Sequence, residues 1–218
     1  MATIQRPWSN FPPVVTGLMA SCIIVFLMQE MNPGFMLEHF ALWPAGDWQV
    51  NTPWGVFASA FQPWQLVSTA FLHGSYFHLF VNMLALWMFG VQIENIWGWR
   101  RFFVYYFFCV VGASLVQLVV ASAAAADGTV YPTVGASGGV FGILLAFGLM
   151  FPNQRIVLLI PPIPMKAKWF VILFGAFSLF AGVTGAMGGI AHFAHLGGMV
   201  FGLMLMTWWG WRPGRPWR

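Results

Sequence analysis

The sequence predicts an all-α fold, a polytopic membrane bundle of six transmembrane helices. Three observations carry that prediction. First, 60% of the 218 residues are hydrophobic and only 6% are charged, where a soluble domain carries about 25% charged residues. So few charges cannot cover a soluble protein of 24.3 kDa, and lipid must be the main solvent. Second, six apolar runs come close to or reach the roughly 17–25 residues that a span needs. Third, the nine Lys and Arg residues all fall on one side of a six-span model, the positive-inside pattern. A disordered chain, a disulfide scaffold and a nucleic-acid-binding domain are excluded, and the net charge of +4 becomes a topology signal.

In chain order, residues 1–12 form a short tail carrying Arg6. The first span, about 13–31, has no small-residue cleavage site after it and runs into Met28-Gln29-Glu30-Met31-Asn32-Pro33. It therefore reads as an uncleaved helix rather than a signal peptide. Residues 32–75, rich in Trp, Pro and Phe, read as an outer loop at the membrane interface. Spans at about 76–97 and 102–124 follow, with Arg100 and Arg101 between them. The fourth, 136–152, is short because the Gly-rich stretch 135–139 and Pro152 bound it. Arg155, Lys166 and Lys168 separate it from the spans at 168–187 and 190–210, and a basic tail, 211–218, ends the chain. The opposite connections hold Glu38, Asp47 and Asp127 and no Lys or Arg. Both termini are expected in the cytoplasm, with residues 1–218 forming one membrane domain. Cys22 and Cys109 lie inside apolar runs and read as packing residues.

Polar side chains inside lipid are costly, so each is a functional candidate. These are His73, His78, Asn82, Ser137, His192 and His195, with Glu94 near a cytoplasmic end. Ser137, Asn82 and His195 each lie seventeen or eighteen residues from a basic residue on the inner side, namely Arg155, Arg100 and Arg212. At a rise of 1.5 Å per residue, three helices bring a hydroxyl, an amide and an imidazole to one depth, roughly 26 Å above that boundary. His78, one turn before Asn82, joins the layer.

Ser137 sits in Gly135-Ala136-Ser137-Gly138-Gly139, where a Gly-rich turn opens a helix. The free amides and positive dipole end there suit a developing oxyanion. His195 shares its helix face with Gly198 and Gly202, a small-residue surface that permits close helix approach. A serine hydroxyl becomes a nucleophile when a nearby base, most often histidine, takes its proton. Taken alone, a helix-start serine is an N-cap and a Gly-x-x-x-Gly is packing; the shared depth singles these residues out. His192 reads as a rim residue, His39 as a surface loop residue, and Glu94 as a partner of Arg100 or Arg101 or a cap on backbone amides. A zinc site is disfavoured, because His73 and His78 are not at i, i+4 and no Cys or carboxylate lies in the layer. No metal and no cofactor are expected.

His73-x4-His78-x3-Asn82 on one helix, Gly135-Ala136-Ser137-Gly138 opening another and Ala194-His195-Leu196-Gly197-Gly198 on a last one together resemble the rhomboid intramembrane serine proteases. The resemblance covers roughly residues 60–205. It implies a Ser137–His195 catalytic dyad without an acidic third member, and an oxyanion hole of His78, Asn82 and the Ser137 backbone N–H. It also implies a structural role for His73 and a lateral gate at span five. The implied partners are the lipid bilayer and single-span membrane proteins, cleaved near the outer face where their helices unwind. With no extra domain in the sequence, a bacterial inner membrane is expected. Two positions depart from the family pattern. Phe141 stands where a tyrosine often stacks on the histidine, and Gln65 follows Trp64 where arginine is common, which weakens whatever salt bridge or lipid contact orders the outer loop. The alternatives are a catalytically inactive relative that binds membrane clients, and a small transporter with a polar cavity.

Overall fold

A computed structural model of the chain describes residues 8–53, 55–157, 162–185 and 191–212. Arg6, Arg215 and Arg218, which contributed to the charge pattern, lie outside the described residues. Helix α1 (Pro13–Met31) begins with proline at its first position, where the fixed φ suits a helix and no N–H is wasted. Its amides at Val14 and Val15 donate to the two carboxylate oxygens of Glu94 at 2.9 and 2.8 Å. Glu94 thus serves as a cap supplied from a distant helix, the second of its two expected roles. Asn95 adds a second tie, accepting from the Ser9 N–H at 3.0 Å and donating to the Ser9 carbonyl at 2.7 Å.

Glu94→Leu strands the buried Val15 amide and the part-buried Val14 amide, and a buried amide left unpaired costs about 1–3 kcal/mol. The thermal midpoint in detergent should fall accordingly, and an unchanged midpoint would show that water reaches those amides.

The outer stretch, expected as a loop, is ordered. Helix α2 (Pro33–Phe40) is capped by the Asn32 side chain, which accepts from the Phe35 N–H at 3.3 Å. Strands β1 (Asp47–Thr52) and β2 (Gly55–Ala60) form an antiparallel hairpin with Asp47 opposite Ala60. Phe57 and Ser59 alternate inward from β2, and Phe57 meets the fully buried Trp43 edge-on at 6.3 Å. The short α3 (Gln65–Ser68) and a 3-10 turn (Thr69–Phe71) then lead to the next span.

Gln65 contributes to the outer loop through neutral hydrogen bonds. Its side chain is 1% exposed, and its carbonyl oxygen accepts from the Trp43 and Gln62 amides, both at 3.2 Å. It ties the segment at Trp43 to the turn at Gln62, because an amide oxygen can accept where a guanidinium only donates.

The second span is continuous from α4 (Tyr76–Ala85) through a π turn (Leu86–Gly90) to α5 (Val91–Trp97). After Gly98 comes α6 (Trp99–Ala126), then the short α7 (Ser137–Met150). Strands β3 (Arg155–Val157) and β4 (Pro164–Lys166) pair antiparallel before α8 (Ala167–Thr184). The last helix is α9 (His192–Trp208). By length and composition α1, the α4–α5 run, α6 and α8 can each cross a membrane. Helices α7 and α9, of 14 and 17 residues, are shorter and pack against each other and α6 at the centre. Large apolar side chains such as Phe80, Val119, Leu173 and Phe180 point outward, as lipid requires. The chain is an integral membrane protein of polytopic helical architecture.

Candidate active site

The backbone before α7 decides where Ser137 sits. Leu42 and Thr133 exchange both main-chain hydrogen bonds, at 3.0 and 2.9 Å. The Thr69 hydroxyl donates to the Thr133 carbonyl at 2.6 Å, and the Gly135 N–H donates to the Thr69 carbonyl at 2.9 Å. The outer loop thereby holds residues 133–135 in place up to the helix start. Gly135 has φ +135°, a conformation open to glycine alone among common residues. A Cβ there would also stand 2.8 Å from Cε1 of His78. Glycine is required on both counts.

Helix α7 then opens at Ser137, so the amides of its first turn have no intrahelical acceptor. Across from it, α9 brings in His195, whose Nε2 lies 2.9 Å from Ser137 Oγ. That approach depends on bare backbones, since a Cβ on Gly198 would overlap the Gly138 carbonyl oxygen. Phe141, one turn after Ser137, stacks flat on the His195 ring with centroids 4.0 Å apart and planes at 8°. The stack fixes the ring plane without any hydroxyl.

His78 approaches from α4. The Gly74 N–H donates to its Nδ1 at 3.3 Å. That nitrogen is therefore the acceptor, and the neutral ring carries its proton on Nε2. Nε2 faces Gly135, beside Ser137 Oγ. Asn82, 5% exposed, uses one amide hydrogen on the His78 carbonyl at 2.9 Å and keeps another to donate. The structure thus brings Ser137, His195 and His78 together, with Asn82 one turn further along α4.

His73 stands behind His78, ring edge to face at 5.2 Å. Burial, reinforced by His78, lowers its pKa below the ordinary histidine value, so it stays neutral. Gln29 of α1 grips its backbone from both sides, accepting from the His73 N–H at 3.2 Å and donating to its carbonyl at 2.8 Å. His192 corrects another reading. It is 5% exposed rather than on the rim, covered by Phe177 of α8 at 6.0 Å. His39 is exposed, as expected, but stands on helix α2 rather than in a loop. Among the described residues no three His, Cys, Asp or Glu side chains gather as a metal site would need. Chemically, the arrangement pairs a hydroxyl with a base and sets a neutral imidazole donor next to them.

A family model described as the rhomboid domain matches residues 60–212. The chain belongs to the rhomboid family. This rhomboid chain is 35% identical over 139 residues to Rhomboid protein 1, mitochondrial, of Saccharomyces cerevisiae, covering 64% of the chain and 40% of that protein. It is 30% identical over 212 residues to the human Presenilin-associated rhomboid-like protein, mitochondrial, covering 94% and 51%. To Rhomboid protease GlpG of Serratia proteamaculans it is 27% identical over 208 residues, covering 94% and 66%. It thus spans about half the length of these relatives. Mitochondrial and bacterial proteins both resemble it, so the bacterial origin expected from the sequence does not follow from these likenesses.

Several residues that build the site of this rhomboid carry little sequence signal of their own. Gln29, Thr69 and Thr133 act through contacts between segments 44 and 64 residues apart. A glutamine inside the first apolar run was the one visible hint.

Proposed function

We propose that this rhomboid chain is an intramembrane serine endopeptidase. It would cleave transmembrane helices of single-span substrates near the outer membrane face, through a Ser137–His195 dyad. The observation that carries this reading is the 2.9 Å contact between His195 Nε2 and Ser137 Oγ at a glycine-opened helix start. The name of the Serratia proteamaculans relative, a rhomboid protease, is consistent with it.

Ser137 Oγ attacks the scissile carbonyl carbon while His195 Nε2 takes its proton. The carbonyl oxygen becomes an oxyanion, held by His78 Nε2–H, the free Asn82 amide hydrogen and the Ser137 backbone N–H. The C–N bond then breaks, and His195 returns the proton to the leaving amine. Water attacks the resulting ester with His195 again as base, which frees the acid and restores Ser137. A continuous helix hides its carbonyls, so a substrate must unwind locally before the attack. The basic residues support an orientation with both termini on the inner face, the cytoplasm where the host is a bacterial inner membrane.

The test is cleavage of a single-span reporter in liposomes, together with labelling by a fluorophosphonate probe. Wild-type protein should cut the reporter and be labelled at Ser137, and Ser137→Ala should do neither. A wild type inert in both assays points instead to a non-catalytic client-binding rhomboid. His78→Ala and Asn82→Ala should each lower kcat by about 10²–10³. Full kcat in either variant removes that residue from the oxyanion hole.

A further inference from the structure

His192 opens α9 and has no part in the reaction above. Its side chain is 5% exposed, and neither ring nitrogen has a hydrogen-bond partner among the described residues. Nδ1 of His195 is buried and unpartnered in the same way. The two rings are three residues apart on one helix face and stand edge to face, centroids 6.0 Å apart at 85°. Phe177 of α8 also meets the His192 ring, edge to face at 6.0 Å, and offers no polar atom. Three polar nitrogens without a protein partner thus lie behind the serine–histidine contact, a cost that folded proteins rarely leave uncompensated.

The proton inventory says what compensates it. For Nε2 to accept the Ser137 proton, the neutral His195 ring must carry its own hydrogen on Nδ1. That N–H then needs an acceptor, which in a serine triad is a carboxylate. A neutral His192 always has one acceptor nitrogen. The rings are too far apart for a direct N–H···N bond but within the span of two hydrogen bonds of about 2.9 Å through one water. Buried waters of this kind typically serve polar groups that lack a protein partner.

We infer that His192 is a positioning residue for His195, holding its Nδ1–H through one bound water. This rests on the proposed Ser137–His195 dyad and adds to it the device that fixes the base's tautomer. The third member is an imidazole and a water in place of an acid. With no negative charge behind it, the base is oriented without a second ion in a membrane core, where an unpaired carboxylate is costly.

The test starts with ¹⁵N-histidine NMR of the full chain in micelles, which needs no substrate. In the wild type the His195 Nδ1–H should show a cross-peak to a long-lived water, and its absence overturns the inference. His192→Phe keeps an aromatic ring against Phe177 but removes both nitrogens; His192→Gln keeps an acceptor. The cross-peak should vanish in the first and persist in the second. On the single-span reporter, His192→Phe should lower kcat roughly tenfold, about 1.4 kcal/mol in activation free energy, with KM within about twofold. His192→Gln should recover most of that loss. Wild-type kcat in His192→Phe, or equal losses in both variants, overturns the proposal. A wild type that neither cleaves nor labels removes the protease reading instead, while the NMR result still decides the water link.

Discussion

Ser137→Ala and His195→Ala should each lower the single-turnover rate on a reporter substrate by about 10⁴–10⁶, with KM nearly unchanged. The double variant should be no slower than the worse single one. The reason is geometric. Ser137 Oγ and His195 Nε2 share one proton across 2.9 Å, so removing either partner ends the same step, and the second loss finds nothing left to remove. Losses that instead multiplied in the double variant would mean that the two side chains act separately. Cleavage near the wild-type rate after both substitutions would sink the covalent mechanism outright. Residual cleavage should come from substrate binding and the oxyanion donors, His78 and Asn82, which neither substitution touches.

Gly198→Ala should be damaging too, though less so, without altering any polar atom. A methyl group there overlaps the carbonyl oxygen of Gly138, the residue after the serine. Backbone cannot rotate away as a side chain can, so α9 must retreat from α7 and carry His195 with it. Overpacking a tight core costs about 1–3 kcal/mol, and a displacement near 1 Å at the reacting atoms costs about 10²-fold in rate. Both the thermal midpoint and the labelling of Ser137 should therefore fall. Gly17→Ala on α1 is the control, because a Cβ there meets nothing within 4 Å. If Gly198→Ala matched Gly17→Ala in midpoint and labelling, the α7–α9 contact would not be what sets the serine–histidine distance.

The lateral arrangement around these helices shows how far a linear reading reaches. The first span, read as about 13–31, forms as Pro13–Met31, and the second, 76–97, as a run ending at Trp97. Proline, glycine and apolar length mark such ends locally. The Gly-rich stretch at 135–139 likewise announced that a helix opens at Ser137. By contrast, nothing in 32–75 revealed the hairpin. Its strands are short, and its register depends on Phe57 finding Trp43. The part that Gln65 plays was hidden for a related reason. A substitution judged against a family pattern says what is missing, whereas its hydrogen bonds to Trp43 and Gln62 say what replaced it.

His192 and Glu94 mark the same boundary inside the bundle. Both were visible as polar residues in apolar runs, yet their surroundings were not. Glu94 takes the amides of Val14 and Val15, some eighty residues away, and His192 lies under Phe177 of another helix.

The sequence by itself determined that this is a membrane bundle, where its helices run and which polar side chains lie within them. Those properties follow from transfer free energy and helix rise, which each segment expresses alone. Only the tertiary structure decided that Ser137 meets His195, that the outer loop holds residues 133–135 in place, and that His192 is buried. Such facts depend on distances between helices, set by glycine contacts and hydrogen bonds whose two halves lie far apart in the chain.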